Sequence, residues 1–222
     1  MTYQSTTRAP RAGWLLPTGL IVLSVIPVLA GAIRVTELTA GAEITPANER
    51  FFAAPVPVVL HIVSASAFSV LGAFQFAPRL RRRRPGLHRA AGRILVPAGL
   101  LAALSGLWMT LFHTLPVGDE GLLTVFRLGF GTAMVVSLAL GLAAIRRRDI
   151  ARHRAWMTRG YAIGMGAGMQ AVTHALWLAA VGTPGQLTRQ LLLGAGWAIN
   201  LAVAEWAIRR SRRGRRPAPV GA

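Results

Sequence analysis

Ionisable side chains inside long apolar stretches are costly, so they are the first candidates for chemistry. The chain has five histidines. His61 and His174 each stand about 7 residues, roughly 10 Å, inside an apolar run and at matching depth. His113 sits at the same end as that pair, whereas His88 and His153 sit at the opposite end. Two histidines facing each other at one depth can ligate a haem iron axially, or another metal. His61 with His174 is therefore the candidate haem b pair, with His88 and His153 as cofactor-binding candidates in a second layer. The alternative is that each is a neutral histidine hydrogen-bonded to a neighbouring helix. No known haem motif accompanies them.

A second constellation is cationic. His88, Arg89 and Arg93 open one apolar run, and His153, Arg154 and Arg159 open another. Helix starts carry positive dipole ends, so such a place attracts anions. The candidates are a lipid phosphate, an anionic substrate or a haem propionate, held by Arg89, Arg93, Arg154 and Arg159, with Trp156 as an interfacial anchor. A third set, Gln170, His174 and Asn200, would line a polar passage in a small-molecule or ion transporter.

The elements that position these residues are apolar runs. Of the 222 residues 53% are hydrophobic and only 14% are charged, yet the net charge is +18. The apolar residues fall in six runs of spanning length, at about 13–33, 54–77, 94–114, 122–145, 160–181 and 190–208. A bilayer core of about 30 Å needs roughly 20 apolar residues in a helix. The expected fold is thus all-α, a polytopic bundle of six transmembrane spans. Its parts are an N-terminal segment 1–12, a helical domain 13–208 and a basic, disordered tail 209–222. The first run, flanked by Arg8 and Arg11, is too long for a usual signal-peptide core and reads as a retained helix.

Charge gives the bundle a direction. All 25 basic residues are arginine. Six crossings put 21 of them on one side, before span one, between spans two and three, between spans four and five, and after span six. Only Arg34, Arg50, Arg127 and Arg189 fall toward the other side, with Glu37, Glu43, Glu49, Asp119 and Glu120. That asymmetry predicts a six-helix membrane protein with both termini cytoplasmic. The stretch RLRRRRPGLHRAAGR then marks the cytoplasmic face and meets anionic headgroups. No aromatic interleaving supports a nucleic-acid partner.

Several smaller readings follow. Asp149 is a plausible cap for a helical DIARHRAWMTR. Arg127 snorkels or pairs with Asp119 or Glu120, and Glu205 is four before Arg209, the favourable order for an ion pair. Gln75 satisfies a backbone carbonyl, and Asn200 must find a partner. Pro17, Pro55, Pro57 and Pro97 sit near span ends or first turns. Gly160, Gly164 and Gly168 form a face where another backbone approaches closely, within the chain or in a homo-oligomer.

LHIVSASAFSVLGAFQFAPRLRRRRPGLHRAAGRI and, later, DIARHRAWMTRGYAIGMGAG resemble the bacterial membrane family catalogued as domain of unknown function 2306. The matching features are His61, Gly72-x-Phe74-Gln75-Phe76, Pro85-x-x-His88-Arg89, Gly92-Arg93 and His153-Arg154-x-Trp156-Met157-x-Arg159. They cover about residues 57 to 181. Ala73 departs from the pattern, which expects Pro there, and the departure bears on the local helix end. The resemblance implies a multi-pass membrane protein and no particular activity. There is no H-E-x-x-H, G-x-S-x-G, P-loop or Rossmann fingerprint, so an enzyme here would be a membrane oxidoreductase. Three readings stand open: an inner-membrane protein with a lipid-binding arginine rim, a haem b redox protein, and a transporter.

Overall fold

A computed structural model of the chain describes residues 13–116 and 118–213. The expected segment 1–12, with Arg8 and Arg11, and the last part of the tail, 214–222, lie outside the described residues. Among those residues every regular element is helical: α1 Leu15–Ala40, α2 Glu49–Ala53, α3 Pro55–Ala73, α4 Pro78–Arg83, α5 Pro85–Phe112, α6 Leu122–Arg146, α7 Ile150–Gly164, α8 Gly166–Ala180 and α9 Gln186–Arg213.

Five of the helical stretches are long and apolar enough to cross a membrane: Leu15–Ala40, Pro55–Phe76, Pro85–Phe112, Leu122–Arg146 and Gln186–Ser211. The expected span 160–181 is not one helix. It is divided at Met165 between α7 and α8. Gly164, Gly166 and Gly168 crowd this point, and each glycine in a helix interior costs about 1 kcal/mol against alanine. The hydrogen-bond ladder survives the break in stretched form. Met165 N–H donates to Tyr161 at 3.0 Å, and Met169 N–H donates to Met165 at 3.4 Å.

Helix ends also differ from the apolar runs. α1 continues to Ala40 and stops where Gly41 turns left-handed (φ 65°), its N–H returning to the Glu37 carbonyl. α5 starts at Pro85, well before the apolar run, because arginines do not end a helix and Pro fits its first turn. Pro97 consequently lies inside α5 rather than near its end. α9 likewise carries the basic residues 209–213 as helix. α3 ends at Ala73 in a single 3-10 turn, Phe74–Phe76, without the proline that the family pattern expects there.

The helices pack in sequence, α1 on α3, α3 on α5, α5 on α6 and α6 on α7. The circle closes because α8 packs on both α9 and α1. At the centre Phe68, Leu95, Met134, Leu138 and Tyr161 form a buried cluster. Large apolar side chains such as Leu15, Val22, Ile33, Val56, Leu111 and Val203 stay exposed on the periphery. A water-soluble bundle of this size would not tolerate that surface, whereas lipid solvates it.

Two ends of the bundle matter below. The rim end holds α4, the starts of α5 and α7 and the finish of α9. The far end holds the finish of α1, α2, the segment 113–121 and the starts of α6 and α9.

Candidate functional site

His61 faces α5. Its Nδ1 lies 2.8 Å from the Ala102 carbonyl and 3.3 Å from Ser105 Oγ. The ring fits there because Gly106 has no Cβ; one built at Gly106 would lie 3.2 Å from the ring. His174 stands half-buried on α8, a helix that packs on α9 and α1. Among the described residues no group of three or more His, Asp or Glu could hold a metal. The packing gives no support to the haem pairing. His61 instead does what a neutral histidine in an apolar helix does, bonding a neighbouring helix.

The polar passage fares no better. Gln170 Nε2 donates to the Leu193 carbonyl at 2.9 Å, and Asn200 Nδ2 donates to the Ala162 carbonyl at 3.1 Å. Both amides are spent on helix–helix contacts. Gln75 departs from expectation in the other direction: its Nε2 is buried with no hydrogen-bond partner among the described residues.

At the rim end the structure does bring residues together. His153 Nδ1 sits 2.8 Å from the Gly141 carbonyl, and His88 lies within electrostatic reach of Arg81, His153 and Arg154. Asp149 caps α7, accepting the Arg152 N–H at 2.9 Å. Arg89 and Arg93 are exposed, as are Arg82, Arg83, Arg84, Arg146, Arg147, Arg148 and Arg152. Arg159 stands apart from this group. It pairs with Glu205 of α9 and lies 4.6 Å from the Trp156 ring. The expected Glu205–Arg209 pair is only marginal, at 4.0 Å. Arg159 and Glu205 line an open, mostly apolar groove of about 370 Å³ between α6, α7 and α9, with Val136, Ser137 and Leu201.

The glycine series is used inside the chain. A Cβ at Gly160 would meet Leu138, one at Gly164 would meet Phe68, and one at Gly168 would stand 2.2 Å from the Leu23 carbonyl oxygen. The face these glycines would offer to a second copy is therefore already covered by α6, α3 and α1.

The sequence reading missed the density of contacts at the far end. Asp119 is 5% exposed. Its carboxylate accepts from Arg127 Nη2 at 2.6 Å, as one of the two expected pairings has it, and from Arg189 Nη1 at 2.7 Å. Burial alone raises the Asp119 pKa; the hydrogen bonds and charges of the two arginines outweigh it and hold the carboxyl below its ordinary value. Gln190, also buried, donates to the carbonyls of Gly118 (2.9 Å) and Glu120 (3.0 Å). One acid thus ties the segment 113–121 to α6 and to α9. Arg34 and Arg50 both lie against Phe51, at 4.5 and 4.4 Å, and the ring of His113 meets Phe51 edge-on. The signal for this cluster was present: its arginines are the four that the charge asymmetry leaves over.

A helical bundle with an exposed apolar periphery, long apolar helices and one basic end defines a membrane protein. The chain belongs to the family described as predicted membrane protein (DUF2306), whose model matches residues 58–208. That match takes in α9, beyond the motifs that first suggested the family. No curated protein and no solved structure matches the chain.

Proposed function

We propose that the chain is a six-crossing protein of the bacterial cytoplasmic membrane, with both ends on the cytoplasmic side and an arginine rim that binds anionic headgroups. The carrying observation is a register. Arg159 meets Glu205, Ala162 meets Asn200, Gln170 meets Leu193 and Thr173 meets Leu192. Positions rise along α7 and α8 as they fall along α9, straight through the break at Met165. α7 and α8 therefore run antiparallel to α9 as one interrupted crossing, the fifth in chain order, which with the five long helices makes six. Six crossings return the chain to the side on which it began, and both ends then share the basic face.

At the rim the exposed arginines have water and phosphate as their natural partners, at about 1 kcal/mol each near an anionic surface. Binding of headgroups there anchors the bundle.

The chain has no cysteine, so every introduced one is unique. A membrane-impermeant maleimide will label Glu120→Cys in right-side-out vesicles, and Arg83→Cys and Arg148→Cys only in inverted ones. Labelling of Arg83→Cys from the outside would reverse the orientation. Labelling of Arg83→Cys and Arg148→Cys from opposite sides would remove a crossing.

A further inference from the structure

Among the described residues the far end holds one guanidinium, that of Arg50, that its own contacts leave unpaired. Four guanidiniums, Arg34, Arg50, Arg127 and Arg189, gather there. Two carboxylates pair with them: Asp119 takes Arg127 and Arg189, and Glu37 takes Arg34 at 2.5 Å. Arg50 makes no hydrogen bond or ion pair among the described residues, although it is half-buried. It rests on Phe51 beside Arg34, with the charges of Asp119, Arg34 and Arg127 all acting on it. Glu43, Glu49 and Glu120 are exposed nearby and make no ion pair with the cluster.

This arrangement is expensive for a bundle whose other arginines are massed at the opposite end. Like charges that converge on one aromatic ring repel, and cation–π contact returns only about 0.5–2 kcal/mol. A guanidinium presents planar paired donors that match the oxygens of a phosphate. Arg34 lies near the finish of a membrane-length helix and Trp108 packs against His113 close by; the ends of spanning helices, where such aromatics gather, are where headgroups lie.

We propose that Arg50, with Arg34 beside it on Phe51, forms a binding site at the far end for a phosphate-type oxyanion, either free or carried by a lipid headgroup. Arg50 supplies its whole fork and Arg34 the donors that its pair with Glu37 leaves over, while Asp119 is already held by Arg127 and Arg189. His113 is the built-in reporter, because its ring touches Phe51 and feels the Arg50 charge.

The test uses the full chain, labelled with 13C-histidine, in dodecyl maltoside, a detergent without phosphate. The His113 signal is assigned by its loss in His113→Phe. Inorganic phosphate is titrated at constant ionic strength, and dioleoyl phosphatidylglycerol is titrated separately. A saturable shift of His113 with phosphate, weakened at least about tenfold in Arg50→Gln, supports a site for the free ion. A shift with the lipid alone, abolished by Arg50→Gln, supports the same site taking a headgroup. Arg50→Lys keeps the charge and loses the fork; it guards against a misfolded Gln variant and should bind more weakly than wild type. Phosphate captured only at the rim leaves His113 unmoved. A His113 signal that ignores both probes, or responds equally in wild type, Arg50→Gln and Arg50→Lys, overturns the proposal. None of these outcomes depends on the orientation or the number of crossings.

Discussion

The two ends of the bundle hold arginine in opposite ways. At the far end arginines are few and are held by the chain itself: Asp119 grips Arg127 and Arg189, Glu37 grips Arg34, and Phe51 carries Arg34 and Arg50. At the rim they are many, and most of the described ones are exposed to solvent. The difference separates two kinds of stabilisation. A cation buried against protein needs a carboxylate, or folding pays its desolvation. A cation left on the surface is solvated by water and headgroups and contributes to where the protein sits, not to whether it folds.

The sharpest way to break this comparison is Asp119→Ala. It leaves two guanidiniums in a partly buried place and cuts the tie between segment 113–121, α6 and α9. We expect a loss of about 3 kcal/mol, toward the low side for a buried pair because Arg127 and Arg189 keep 29% and 39% exposure. Thermal unfolding in detergent reads it. A loss no larger than that of a rim substitution would erase the distinction between the ends.

Acid sharpens the same point. The carboxyl of Asp119 is held below its ordinary value of 3.8. A depressed pKa means that the stabilisation is fully present above the ordinary value and fades as pH falls through the folded one. The part of the melting temperature that Asp119 supplies, read as the difference between wild type and Asp119→Asn, should therefore hold steady through neutral and mildly acidic pH and fade only in strong acid. Asp119→Asn should remove that acid-sensitive component while lowering the plateau. The arginines of the rim do not titrate in this range and add no slope of their own.

Arg159 is the exception at the rim end, since it is held as the far-end arginines are. Glu205→Gln keeps the shape and removes the charge. Because Arg159 and Glu205 are 22% and 32% exposed, solvent screening reduces the pair's worth, and a loss of about 1 kcal/mol is expected. The same substitution also tests the register of α7 against α9, because Asn200 and Gln170 must then hold it alone. An unchanged melting temperature would assign that register to packing rather than to the ion pair.

How much of this was legible follows from what each signal depends on. Five membrane-length helices could be read from hydropathy because a spanning helix is apolar all round, whatever its neighbours. The break at Met165 was not, since residues 160–181 form an apolar run of spanning length; only the spacing of Gly164, Gly166 and Gly168 hinted at it. The capping role of Asp149 was readable because a cap is local in sequence. Of Asp119's two partners, Arg127 was readable and Arg189 was not, since it is 70 residues away and helix order around the bundle has no mark in a single chain. The histidine layers gain no support for the same reason. Depth along a helix can be counted from sequence, but the direction a side chain takes around the helix axis depends on which helix lies beside it. His61 turned to α5.

The smallest expected effect completes the contrast. Arg83→Gln removes one exposed charge at the end of α4, next to Arg82 and Arg84. Its stability cost should be under about 0.5 kcal/mol, since surface substitutions away from any specific contact usually stay within that range. Its effect on lipid preference should be correspondingly modest for one substitution and should grow as neighbouring arginines are replaced. Each replaced charge removes about 1 kcal/mol of attraction to an anionic leaflet. A series from Arg83→Gln to the quadruple replacement of Arg81, Arg82, Arg83 and Arg84, read as phosphatidylglycerol retained in native mass spectra, would display that growth. Loss of folding along the series, with lipid retention unchanged, would mean that the rim is held by the protein after all, and the two ends would then differ in number of arginines but not in kind.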